Sequence, residues 1–228
     1  MFTQSFLLLS LAGSAFALPF YNFYPGSGCT PESPMLPTNG GSSELPAPPE
    51  DVKLKHIALG FGIQNYSCAD TDANPVAIGA LAVLYDITFL YPGQSSSSVT
   101  PAEWSSFPSY VLDAGQVPLN RNEDGGASLT NPFPRNDRSG LTGVPTFDLD
   151  KANQLLVAKK ISSIEAPSSA PAGPEGTGAV DWLYLGDAGG SYGISFVYRV
   201  LTAGGAPHSC EDKGSRSTSY TTLYWFYG

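Results

Sequence analysis

Apolar and polar positions alternate along Val52-Lys53-Leu54-Lys55-His56-Ile57-Ala58-Leu59, with Lys53 and Lys55 turned outward. That period of two predicts a strand. Gly60-Phe61-Gly62 predicts a turn into a second strand at 63–69. From Ala77 to Leu90 both faces are mostly apolar: Tyr85, Ile87 and Phe89 share one, Leu84, Asp86 and Thr88 the other. The β-branched and aromatic end of this stretch predicts a strand, although Ala77–Leu84 also fits a helix. Regular patterning returns at Val144–Leu149 and Leu155–Ile164, and three aromatic strands follow at 179–185, 192–202 and 220–227. In the middle one, Tyr192, Ile194, Phe196, Tyr198 and Val200 point one way and Ser195 and Arg199 the other, with Val197 between them, as in a half-buried antiparallel strand. Trp182 and Tyr184 oppose Leu183 and Leu185, while Tyr220, Tyr224 and Phe226 oppose Leu223, Trp225 and Tyr227. Two apolar faces per strand mean burial on both sides or an exposed aromatic platform, and core packing is the default. Eight or nine strands without a convincing helix predict an all-β, antiparallel β-sandwich of jelly-roll type, with a closed β-barrel as the alternative.

The stretches between these strands divide the chain. Residues 91–143 form a long irregular loop with Ser95-Ser96-Ser97-Ser98 and many prolines, the mark of a functional loop or a missed hairpin, and a short strand is expected near Tyr110–Leu112. A Pro/Ser/Gly linker covers 167–178. Residues 18–50 are an extended leader rich in Pro, Gly and Ser, unable to pair in a sheet. Ahead of it, Phe6-Leu7-Leu8-Leu9-Ser10-Leu11-Ala12-Gly13-Ser14-Ala15-Phe16-Ala17 is an apolar run too short for a stable membrane span, ending in small residues where a signal peptidase reads. The expected organisation is a signal peptide at 1–17, the leader at 18–50 and one β domain at 51–228, in a protein that is secreted and extracellular or wall-associated.

Composition narrows the partners. Hydrophobic residues make up 42% of the chain and charged ones 14%, enough for a sizeable core, and the formal charge is −9. Eleven scattered Lys and Arg make no basic face, which argues against nucleic acid and against anionic membrane surfaces, and the mature chain carries no membrane-spanning run. The three cysteines, Cys29, Cys68 and Cys210, leave one thiol over in an oxidising compartment. Cys68 with Cys210 is the expected pairing, with Cys29 free or joined to another molecule, and Cys29 with Cys68 is the rival; no pair has metal-ligand spacing, so no metal is expected.

Few residues signal chemistry. Gly60-Phe61-Gly62 begins like a dinucleotide fingerprint, but Asn65 stands where the third glycine belongs and Tyr66-Ser67-Cys68 are strand formers, so no cofactor is expected. Asn65-Tyr66-Ser67 is an N-glycosylation sequon. His56 and His208 lack a triad-like setting and read as structural or exposed. Asp148 and Asp150 share a strand face, which would suit a secreted hydrolase working with carboxylates. With Trp182 assigned to the core, Trp104, Phe107 and Tyr110 are the candidates for a binding surface toward glycan or an extracellular protein. The leading function is therefore a non-catalytic glycan- or partner-binding module.

Several segments resemble one family: Leu45-Pro46-Ala47-Pro48-Pro49 leading to Leu54-Lys55-His56-Ile57-Ala58-Leu59-Gly60, Gly62-Ile63-Gln64-Asn65-Tyr66-Ser67-Cys68, Val180-Asp181-Trp182-Leu183, Val197-Tyr198-Arg199-Val200, Thr202-Ala203-Gly204-Gly205-Ala206-Pro207 with Cys210, and Tyr224-Trp225-Phe226-Tyr227. Together, from about residue 45 onward, they look like the secreted domain of unknown function found in many filamentous fungi and some bacteria. Fungal members often carry the label malate dehydrogenase, which the residues around Gly60 do not support. The resemblance carries over no catalytic residue. It implies that Cys68 pairs with Cys210, since both lie in matching motifs, and that Cys29 is left over because Asp86-Ile87-Thr88 stands where relatives often have a further cysteine.

Overall fold

The alternation that starts at Leu54 does not stop at Gly60. Leu54–Cys68 form one fifteen-residue strand, β1, through the stretch where the pattern predicts a turn. Gly60 and Gly62 are glycines because of what lies over them. A Cβ on Gly60 would sit 2.5 Å from the Tyr224 ring, and one on Gly62 would sit 1.9 Å from the Leu81 carbonyl oxygen. Neither glycine has the positive φ of a turn glycine. Their missing side chains let neighbouring chain close over one face of β1.

The computed structural model describes residues 33–115, 132–133 and 144–228, which lie within the compact unit Pro31–Gly228. After β1 come β2 (Val76–Asp86), the helix α1 (Pro101–Asp113), β3 (Pro132–Phe133), β4 (Thr146–Leu149), β5 (Gln154–Ile164), β6 (Trp182–Asp187), β7 (Phe196–Gly204) and β8 (Gly214–Tyr227). Neighbouring strands pair antiparallel in one sheet of order β3-β2-β1-β8-β7-β6-β5-β4. The all-β expectation holds. Its two-sheet form does not: a single sheet curls into a half-barrel. His56 on β1 and Gln154 on β5 are separated in the sheet by β8, β7 and β6, yet their side chains meet at 3.0 Å. Phe147 on β4 likewise packs edge-on against Tyr224 and Phe226 of β8.

Both faces are buried, as the doubly apolar strands predict, but against different things. The outer face carries Ile57, Leu59, Tyr85, Trp182, Tyr184, Tyr198, Val200, Leu223, Trp225 and Tyr227, and α1 and flanking chain cover it through Trp104, Val111, Leu90 and Tyr91. Part of the leader lies there too. Leu36 and Leu45 pack on the outer cluster, as does Val52 just after the leader, and the Tyr198 hydroxyl donates to the Pro46 carbonyl at 3.0 Å. A helix and an extended segment thus take the place of a second sheet, which is why sandwich-like patterning gives a half-barrel. The inner face carries Ala58, Leu84, Phe147, Leu156, Leu185, Val197, Tyr224 and Phe226.

The helix is the main departure within 91–143. Residues 101–113 are helical where the sequence reading has irregular chain and a short strand near Tyr110–Leu112. Thr100 caps the helix and makes a reciprocal capping box with Glu103, and Pro101 opens the first turn. Pro at the first helical position and Glu three residues after Thr are start signals readable in the sequence.

Gly60→Ala tests the close approach. The Tyr224 ring is 4% exposed and packed on Phe147, so it has little room to move. The substitution should cost about 1–3 kcal/mol, the usual range for overpacking. A urea midpoint equal to that of the wild type would show that the ring can swing aside.

Candidate functional site

Inside the curl the inner face leaves a trough of about 600 Å³. Its floor and walls come from opposite ends of the sheet. β2 supplies Ala77, Gly79, Ala80, Ala82 and Leu84; β4 and the residues before it supply Val144, Pro145, Thr146 and Phe147; β5 and β6 supply Ala158, Lys159, Lys160, Leu183 and Leu185. The small residues Ala77, Gly79, Ala80 and Ala82 of β2 keep the space open. The polar groups are few: Gln64, Thr146, Lys159, Lys160, Arg199, Tyr220 and Tyr224. A largely apolar concavity of a few hundred Å³ with a few convergent polar groups is the usual form of a small-molecule site.

Arg199 is the deepest charge in it. The alternation along β7 puts Arg199 on the face opposite Tyr198 and Val200; that face, shared with Val197, is the inner one, and Arg199 is 8% exposed. Its Nε and Nη2 donate to the Asp181 carbonyl oxygen at 3.1 and 2.8 Å. Among the described residues no carboxylate lies within ion-pair distance of it. Beside it the Tyr220 and Tyr224 hydroxyls are hydrogen-bonded to each other at 3.0 Å. Burial pushes both phenols above their ordinary pKa, and the Arg199 charge pulls each partly back. Both are therefore neutral hydroxyls at physiological pH. Gln64 spends its Nε2 on the Gly79 carbonyl at 2.7 Å.

A second polar cluster holds the curl together. His56 Nδ1 meets Asp86 Oδ2 at 3.0 Å while Nε2 meets Gln154. Burial alone would raise the Asp86 carboxyl, but hydrogen bonds from His56 and from the Thr88 backbone and hydroxyl more than offset that and hold it below the usual range. Both ring nitrogens of His56 are engaged, so the group ties β1, β2 and β5 together rather than presenting a free base. Sequence reasoning places His56 as structural, and this is the structure it serves.

The remaining candidates scatter. Trp104 is 6% exposed and belongs to the outer core, against its reading as binding surface; Phe107 is half-buried and Tyr110 is 61% exposed. The three share one helix but do not form one open surface. Asp148 lies in β4, whereas Asp150 begins a short 3-10 turn, Asp150–Ala152, so the two do not share a strand face. His208 is exposed. Asn65 sits within β1, not beyond a turn, and its Oδ1 accepts from the Ser217 hydroxyl at 2.7 Å. Cys68 and Cys210 form a disulfide, Cα–Cα 5.6 Å, between the end of β1 and the loop before β8. Cys29, residues 1–17 and most of 116–143 lie outside the described residues.

No curated protein and no solved structure matches the chain. A family model does. Residues 48–228 match the family described as Protein of unknown function (DUF3455), a span that takes in every strand of the sheet, both bonded cysteines and Arg199, and the chain belongs to that family.

Proposed function

We propose that this is a secreted, non-catalytic binding module whose ligand is a small, mostly apolar molecule held in the trough inside the curled sheet. The observation that carries the reading is the trough itself: about 600 Å³, walled by alanines, leucines and Phe147 from strands at opposite ends of one sheet. Clefts of that size bury most of a small ligand. The apolar run at 6–17, the Cys68–Cys210 disulfide and the lack, among the described residues, of any helix able to cross a membrane fit export as a soluble chain. A glycan on Asn65 belongs to the same reading. It would stand beside Gln64, which turns the other way into the trough, and would leave the site open. Stacking of sugars on tryptophan has less support, because Trp104, Trp182 and Trp225 are each no more than 6% exposed.

The neutral fluorophore N-phenyl-1-naphthylamine should brighten on binding the purified protein, with micromolar affinity. Ala82→Phe, which fills the trough from β2, should abolish that signal without changing the melting temperature by more than a few degrees. A dye that binds Ala82→Phe as well as wild type would place the apolar site elsewhere and sink the proposal.

A further inference from the structure

The trough has one chemical asymmetry that its size does not explain. The chain carries a formal charge of −9. Yet the charged side chains lining the trough are Lys159, Lys160 and Arg199, and no carboxylate joins them among the described residues. The two lysines are exposed, at the rim. Arg199 is more than nine-tenths buried. A guanidinium has five N–H donors in a planar fork; the Asp181 carbonyl engages its Nε and one Nη2 donor, the Tyr224 hydroxyl takes a further hydrogen bond from it, and the rest of the fork is left for a ligand. A buried cation that is not matched by a nearby anion is costly, whereas a monoanion docked on the remaining fork edge would neutralise it through short, charge-assisted bonds.

Resting on the trough as the ligand site, we propose that the natural ligand is a monocarboxylic acid with an apolar body, its carboxylate anchored on Arg199 and its body lying along β2, β4 and β6. The neutral Tyr220 and Tyr224 hydroxyls stand next to the anchor, one free to donate to the second carboxylate oxygen while the other donates to its neighbour. One guanidinium and two neutral phenols match a single negative charge, which favours a carboxylate over a phosphate dianion. Lys159 and Lys160 at the rim would draw the anion in and leave its final position to Arg199. The apolar walls formed by Ala82, Leu84, Phe147 and Leu183 suit a hydrocarbon chain or ring and offer little to a sugar. A purely structural Arg199, holding β6 to β7 through the Asp181 carbonyl, would give the trough no preference for acids.

Octanoate and 1-octanol, matched in chain length and differing in the head, separate these readings by titration calorimetry on the wild-type protein. Octanoate is expected to bind about ten- to a hundredfold more tightly, the worth of one or two charge-assisted hydrogen bonds. Arg199→Gln should level the two affinities. In ¹⁵N-arginine-labelled wild type, the Arg199 Nε–H resonance, assigned by its loss in Arg199→Lys, should move on adding octanoate and stay put with octanol. This readout decides the matter even if Arg199→Gln fails to fold. Equal affinity for acid and alcohol, or an unmoved Arg199 signal at saturating octanoate, would overturn the anchor while leaving the apolar trough standing. A wild-type protein that binds neither probe would overturn the trough as well.

Discussion

Cys68→Ser should lower the melting temperature of the protein by roughly 10–20 °C. The bond joins residues 142 apart in sequence. Closing a loop that long in the unfolded chain removes conformational entropy worth about 5 kcal/mol on the chain-entropy model. For a domain of this size each kcal/mol moves the midpoint by about 2–4 °C. The native contribution adds to this. Both cysteines are at most 2% exposed, and the bond fixes the loop before β8 where Cys68 opposes Gly214 at the end of the β1–β8 ladder. That ladder runs the whole length of β1 and is the spine of the sheet, so loosening its end exposes the start of β8 to fraying. Calorimetry of the wild type with and without reductant, beside the serine variant, is the measurement. A variant melting with the oxidised wild type would show that β1 and β8 find and hold each other unaided.

The strands were legible because their period is local. The faces read from alternation at Trp182 and Tyr184, and at Tyr220, Tyr224 and Phe226 against Leu223, Trp225 and Tyr227, are the outer and inner faces of the sheet. What lies against each face is not local. Alternation along β7 marks Arg199 as pointing away from Tyr198 and Val200, which is correct, but it cannot tell solvent from the interior of a curl. Curling depends on which distant strands meet: His56 with Gln154, and β4 with β8. Gly60 and Gly62 looked like a turn because a glycine required by close approach and one required by positive φ are the same letter. The helix was different. Thr100-Pro101-Ala102-Glu103 carried a start signal, and its serine and proline surroundings outweighed it.

Trp104→Ala should unfold the protein early, losing about 3–5 kcal/mol, the usual cost of truncating a buried tryptophan to alanine. The sequence reading makes Trp104 a binding residue, and then the variant would melt normally and lose ligand. The structure gives it a different task. Its ring meets Tyr91 edge-on with centroids 5.1 Å apart, and Tyr91 in turn meets Trp225 of β8 at 5.7 Å. Trp104 is thus the peg by which α1 seats on the outer face, and removing it opens a cavity beneath a helix that has few other buried side chains, chiefly Pro108, Val111 and Leu112. The helix cannot re-seat easily, because the Pro108 carbonyl is also tied to the sheet by the Thr221 hydroxyl. Tyr110→Ala, on the same helix but 61% exposed, should change stability by no more than about 0.5 kcal/mol. Because α1 covers the outer face and the trough opens on the inner one, octanoate affinity measured well below the melting point should be nearly unchanged in both variants. A Trp104→Ala protein with a wild-type midpoint would put α1 outside the cooperative core.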